Sequence, residues 1–112
     1  MQAKDLRELV HFDEHGPRHT MLFEADHLWS EVVCLDRNQG LGPIADPDSD
    51  ALCLVVTGKV VVQIDRGRTR LGQWETALVP AGSSLSVTNA SGDPAVLLLV
   101  AAPPPPRRAV SE

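Results

Sequence analysis

The sequence predicts an all-β protein with a single domain, built as a sandwich or a barrel. Seven short segments are rich in Val, Leu and Thr, as strands are, and turn signals separate them. No helical pattern lies between these segments. The chain of 112 residues is long enough to bury a hydrophobic core but too short for a catalytic domain plus a regulatory domain.

The elements follow one another in a simple order. Residues 3–10 carry apolar side chains at positions 6, 9 and 10, which predicts one or two turns of amphipathic helix that cannot extend past Gly16-Pro17. The predicted strands then span residues 19–25, 28–36, 51–57, 59–65, 76–79, 84–88 and 95–101.

The connections carry the residues that turns require. Thr57-Gly58-Lys59 and Asp65-Arg66-Gly67 predict hairpin turns, residues 89–94 a longer turn, and residues 38–43 a glycine-rich loop. Residues 103–108 predict an extended polyproline tail, either exposed at the surface or docked on a partner. We therefore divide the chain into an N-terminal arm (1–27), a barrel (28–102) and a proline-rich tail (103–112).

The overall charge narrows the range of partners. The formal net charge is -5, so no broad basic face is available for a nucleic acid backbone. No apolar run approaches the length of a membrane span, and the first seven residues lack the apolar core of a signal peptide. Cys34 and Cys53 lie inside apolar runs, where a free cysteine packs as a small hydrophobic residue. These observations predict a cytoplasmic protein without nucleic acid or membrane partners.

One stretch resembles a motif of the cupin family. Cupins carry a second motif of the form Pro-x-Gly, then histidine, then asparagine, and this chain has Pro80, Gly82 and Asn89 in that frame. The glycines that flank the first cupin motif correspond to Gly40 and Gly58. The resemblance covers about two thirds of the chain, and it implies a double-stranded β-helix, the jelly-roll barrel of cupins.

The same resemblance implies that the usual metal ligands are missing. The family's glutamate falls on Ala51, its paired histidines fall within residues 45–48, and its second-motif histidine falls on Leu85. No histidine stands at these positions, and leucine has no lone pair to offer a cation. We therefore expect no metal and no other cofactor.

Three acids at alternate positions, Asp46, Asp48 and Asp50, offer a second metal hypothesis. Oxygen donors suit a hard cation, but the glycine and glutamate of a calcium-binding loop are absent downstream. The simpler interpretation is that these side chains cap turns through hydrogen bonds to nearby backbone.

The positions that face the barrel interior in cupins predict a small apolar pocket. The resemblance places Ala51, Cys53 and Leu85 there, and strand alternation adds further residues. The predicted pocket consists of Trp29, Val33, Ala51, Cys53, Val55, Leu85 and Val87. Such a wall either binds a small apolar ligand or packs shut.

The four histidines all lie in the first 27 residues. His11, His15 and His19 recur at every fourth position, but Gly16-Pro17 breaks any helical face, so we predict solvated histidines on a surface arm. Adventitious metal binding, and pairing of a histidine with Cys53 as a nucleophile, are the alternatives. The basic hairpin at residues 66–70 predicts an exposed turn away from the pocket.

No catalytic residue is predicted. Metal-free cupin enzymes such as the sugar-nucleotide epimerases use a histidine base and a tyrosine acid, and this chain has no tyrosine. The resemblance implies a metal-free, non-catalytic cupin that binds a small ligand or another protein. The alternative is a metal-dependent dioxygenase or isomerase with displaced ligands. We also expect a homodimer, because cupins commonly pair through their sheets and N-terminal arm.

Overall fold

The computed structural model describes residues 1–105 and contains nine strands and one short helix. The helix is a 3-10 helix, η1, at Leu6–Leu9. The strands are β1 Arg18–Glu24, β2 Trp29–Leu35, β3 Gly40–Ala45, β4 Asp50–Thr57, β5 Val60–Ile64, β6 Gly67–Leu71, β7 Thr76–Val79, β8 Ser84–Thr88 and β9 Ala95–Ala102.

The strands form two antiparallel sheets that pack face to face. The order is β1-β2-β9-β4-β7 in the five-stranded sheet and β3-β8-β5-β6 in the four-stranded sheet. Because β9 lies between β2 and β4, strands from opposite ends of the chain are hydrogen-bonded neighbours. The predicted all-β jelly roll is confirmed. The turn at Thr57-Gly58-Lys59 is present, but the hairpin predicted there was wrong, because β4 and β5 belong to different sheets.

Two strands were not predicted from the sequence. Strand β3 lies in the stretch assigned to a glycine-rich loop, and it pairs with β8 on both sides of an irregularity between Leu41 and Ile44. A Cβ atom at Gly40 would lie 2.7 Å from the carbonyl oxygen of Val87, so glycine permits this close approach. The loop assignment was therefore wrong for residues 40–43, because pairing with β8 overrides the poor strand propensity of Gly and Pro. Residues 38 and 39 lie outside the strands, as predicted.

The second unpredicted strand is β6, which lies in the basic hairpin. The turn at residues 65 and 66 is present, but the arginines that follow it belong to an edge strand that pairs with β5. Arg68 and Arg70 are exposed and do not line the cavity described below. The hairpin therefore includes a regular strand that was not predicted. Its exposure is as expected.

The N-terminal segment folds back on its own barrel. Helix η1 is four residues long, about one turn, which agrees with the one or two turns predicted within residues 3–10. Asp5 caps it by accepting a hydrogen bond from Arg7 N at 3.0 Å. Leu6, Leu9 and Val10 pack on the outer face of the five-stranded sheet. Within the predicted arm, strand β1 pairs along β2 and extends this sheet.

The interior between the sheets is closely packed at one end. Its fully buried side chains include Leu35, Val55, Val62, Val87 and Leu97. No helix among residues 1–105 is long and apolar enough to cross a membrane.

The asparagine of the cupin-like motif ties the loops together at the packed end. Asn89 is fully buried, and its Nδ2 donates to the carbonyl oxygens of Leu35, Asp36 and Asp93 at 3.1, 3.3 and 2.8 Å. Its Oδ1 accepts from Ser91 N at 3.1 Å. In this chain the motif asparagine is thus a structural residue that joins the β2–β3 and β8–β9 connections.

Candidate functional site

A cavity of about 290 Å³ lies between the two sheets. Strands of both sheets contribute to its wall, which is mostly apolar. The wall residues include His19, Trp29, Glu31, Asp46, Ala51, Val79, Leu85 and Leu99. Ligand pockets commonly combine such a wall with a few polar groups at fixed positions.

The seven predicted pocket residues share one core, but only three of them line the cavity. Trp29, Ala51 and Leu85 contribute to the cavity wall. The other four, which do not line it, are fully buried in the same hydrophobic cluster: Val33, Cys53, Val55 and Val87. The barrel interior is thus packed around these four residues and open next to Trp29.

The main polar feature of the wall is a histidine–glutamate pair. His19 Nδ1 lies 3.0 Å from Glu31 Oε2, at hydrogen-bond distance. The Glu31 side chain is only 4% exposed, whereas that of His19 is 46% exposed. A carboxylate so removed from water needs hydrogen-bond partners, and His19 supplies one of them.

This pair was not predicted from the sequence. His19 is exposed, as expected, but the pairing of β1 with β2 also brings its ring to Glu31. His11, His15 and His27 are exposed, as expected. A signal for Glu31 existed in the alternation of β2, where it shares the inward face with Trp29 and Val33.

Two of the three alternate acids, Asp46 and Asp50, accept hydrogen bonds from backbone N–H groups. Asp46 Oδ1 accepts hydrogen bonds from Asp48 N at 2.8 Å and Ser49 N at 3.1 Å. Asp50 Oδ1 accepts one from Ala81 N at 2.9 Å. The turn-capping interpretation is confirmed for Asp46, which also borders the cavity.

The geometry does not assemble a metal-binding group from these residues. Within the part of the chain that the structure describes, no group of three or more His, Cys, Asp or Glu side chains could hold a metal ion. Leu85, at the position that the resemblance assigns to a histidine ligand, is 3% exposed and packs in the core.

Cys53 is not placed to act as a nucleophile. It is fully buried, and burial raises the pKa of its thiol to about 11, so the reactive thiolate is scarce at neutral pH. The Nδ1 atom of His19 is at hydrogen-bond distance from Glu31, and no hydrogen bond joins His19 to Cys53. The thiol therefore serves as a small hydrophobic group in the core.

The start of the polyproline segment borders the cavity. Ser49 is buried, and its Oγ donates a hydrogen bond of 2.5 Å to the carbonyl oxygen of Pro103. Pro105 contributes to the cavity wall. Residues 106–112, the rest of the predicted tail, lie outside the described residues.

Two antiparallel sheets in jelly-roll order with a cavity between them define the class of protein. The chain has the cupin fold, the double-stranded β-helix, as the resemblance implied. No family model matches the sequence, and no curated protein matches it.

Three solved structures share this fold over 80% to 94% of the chain. The protein TT1209 from Thermus thermophilus is similar with 28% sequence identity and a TM-score of 0.89, covering 94% of this chain and 100% of that chain. A conserved protein with a double-stranded β-helix domain from Klebsiella pneumoniae has 18% identity and a TM-score of 0.85, with 92% of this chain and 90% of that chain covered. An RmlC-like cupin from Shewanella frigidimarina has 18% identity and a TM-score of 0.72, with 80% and 78% covered.

Proposed function

We propose that this cupin-fold protein binds a small organic ligand in the cavity between its sheets, without a metal ion and without catalysing a reaction. The observation that supports this most is the combination of an apolar cavity of about 290 Å³ with a buried carboxylate in its wall. An apolar wall contributes affinity through burial, and a few polar groups fix the orientation of the ligand.

The side chains around the cavity favour binding over chemistry. The chain has no tyrosine to act as a proton donor, and Cys53 is protonated and buried. His19, Glu31 and Asp46 line the cavity, but among residues 1–105 no three His, Cys, Asp or Glu side chains are grouped closely enough to hold a metal ion, whereas the usual catalytic metal sites have three protein ligands. A metal-dependent enzyme with displaced ligands therefore has less support than a binding protein.

Binding to the cavity can be tested with benzyl alcohol, a neutral probe with an apolar ring and one hydroxyl group. We expect saturable binding, with NMR shifts concentrated at the amides of Ala51, Leu85 and Leu99. Ala51→Phe should abolish these shifts because the added ring fills the cavity. Ala90→Phe, in the exposed turn after β8, adds the same ring away from the cavity and should leave binding unchanged. Shifts spread over the surface, or equal binding by both variants, would contradict the proposal.

We also propose that the chain forms a homodimer through the outer face of the five-stranded sheet. Leu52 pairs with Leu78 on one side and with Val100 on the other, so the three side chains form one apolar row. Leu78 is 66% exposed and Leu52 is 39% exposed, beyond the area that the N-terminal segment covers. An uncharged row of this kind is compatible with a second copy of itself related by a two-fold axis.

The dimer proposal predicts a mass of about twice 12.1 kDa in light scattering at tens of micromolar. Leu78→Glu should give the monomer mass, because like charges would then face each other across the interface. Gln73→Glu, an exposed change of the same charge before β7, is the control and should remain dimeric. A 12.1 kDa species for the unaltered protein would contradict self-association.

For the location we propose the cytoplasm. Cys34 and Cys53 are both free thiols in this structure, and they lie on opposite faces of the five-stranded sheet. Unpaired buried thiols are usual in a reducing compartment.

A further inference from the structure

We propose that the cavity selects an organic cation, namely an amine or guanidinium group carried on a small apolar body. This inference rests on the proposed function, since it names the class of ligand for the same cavity. It follows from the charge, burial and arrangement of four wall residues, His19, Trp29, Glu31 and Asp46.

The charge of the cavity wall is the first argument. The wall contains the carboxylates of Glu31 and Asp46, with His19 as the basic group. Within residues 1–105, no lysine or arginine lines the cavity. Two acids against one histidine make the site more favourable for a cation than for an anion.

The burial of Glu31 strengthens the attraction between its carboxylate and a cationic ligand. Its side chain is 4% exposed, so little water screens the interaction with a ligand in the cavity. Hydrogen bonds between an ammonium or guanidinium group and a carboxylate are stronger than bonds between neutral groups. An anionic ligand at the same place would instead meet a like charge that water does not screen.

The arrangement of the wall gives this cation a defined position. His19 Nδ1 contacts Oε2 of Glu31 and so restrains the carboxylate, which can accept several hydrogen bonds in total. Trp29 lies two residues before Glu31 on the same inward face of β2 and lines the same cavity. An indole ring attracts cations as well as apolar groups. Leu85, Leu99 and Val79 provide the remaining apolar wall for the body of the ligand.

Three probes with one aromatic ring and different head groups test the selection. Benzylamine, which is an ammonium ion at neutral pH, benzyl alcohol and benzoate would each be titrated into the full chain at low ionic strength, with dissociation constants taken from NMR shifts. We expect benzylammonium to bind about tenfold or more tightly than benzoate, with benzyl alcohol between them.

Two variants test whether Glu31 causes the preference for benzylammonium. Glu31→Gln keeps the size of the side chain and removes its charge, so the affinity for benzylammonium should fall about tenfold while that for benzyl alcohol changes little. Glu24→Gln makes the same change at an exposed residue of β1 that does not line the cavity, and it should leave all three affinities unchanged. A melting curve of each variant checks that it is folded. The order of the three probe affinities in the unaltered protein tests the proposal without any variant.

The outcomes separate this inference from the proposed function. Equal affinities for the three probes, or tightest binding of benzoate, would overturn cation selection while ligand binding stands. An ammonium preference that survives Glu31→Gln in a folded protein would also overturn it. Binding of none of the three probes would overturn both proposals.

Discussion

Replacing Gly58 by alanine is expected to lower the free energy of unfolding by about 3 kcal/mol or more. Gly58 has a φ of +92°, a conformation that side chains disfavour. A Cβ atom there would lie 2.7 Å from both Ala95 Cα and Pro94 O, and backbone atoms cannot move aside as a flexible side chain can. The turn between β4 and β5 would have to separate from the start of β9, which weakens the packed end of the barrel.

Substitutions at two other glycines distinguish the two causes of this loss of stability, backbone strain and steric contact. Gly82 has a φ of +87° with nothing within 4 Å of an added Cβ, so Gly82→Ala should cost about 1–2 kcal/mol from backbone strain alone. Gly92 has neither a positive φ nor a near neighbour, so Gly92→Ala should be nearly neutral. Denaturant unfolding measures the free energy of unfolding of each of the three variants. Equal costs at positions 58 and 92 would show that the β4–β5 turn does not contact β9 as described.

Replacing Leu85 by aspartate is expected to cost about 4 kcal/mol or more and to lower the melting temperature sharply. Leu85 is 3% exposed and belongs to the core between the sheets. The change removes a buried apolar side chain and places a carboxylate against an apolar wall, where ionisation and burial oppose each other.

The matched control is Leu28→Asp. Leu28 is 40% exposed just before β2, so the same chemical change there should shift the melting temperature far less. Thermal unfolding followed by circular dichroism compares the two variants. If Leu85→Asp melts like the unaltered protein, the side chain faces water, and its assignment to the barrel interior is wrong.

The parts of the fold that local sequence determines were predictable. The strands that match the predictions have apolar alternation or continuous apolar runs, and their turns contain Gly, Asn or Asp. Strands β3 and β6 lack that pattern because one contains Gly40, Gly42 and Pro43, and the other is an exposed edge strand with two arginines. Strand β3 forms because it pairs with β8, and strand β6 forms because it pairs with β5. The periodicity of the sequence does not indicate such pairing.

The candidate site was predictable only on its apolar side. Trp29, Ala51 and Leu85 follow from the motif frame and from alternation, and all three line the cavity. The polar side depends on the pairing of β1 with β2, which brings His19 to Glu31. The every-fourth-residue spacing of the histidines does not indicate this contact, and an acid within a strand usually faces solvent.

The most direct test of the central claim is ligand binding by protein from which metal has been removed. The untagged protein would be treated with a chelator, checked by elemental analysis for Fe, Mn, Ni and Zn, and titrated calorimetrically with benzyl alcohol. We expect one saturable site per chain, with the same affinity before and after chelation, and no stoichiometric metal at either stage. Binding that disappears on chelation and returns with one equivalent of a divalent metal would contradict metal-free ligand binding.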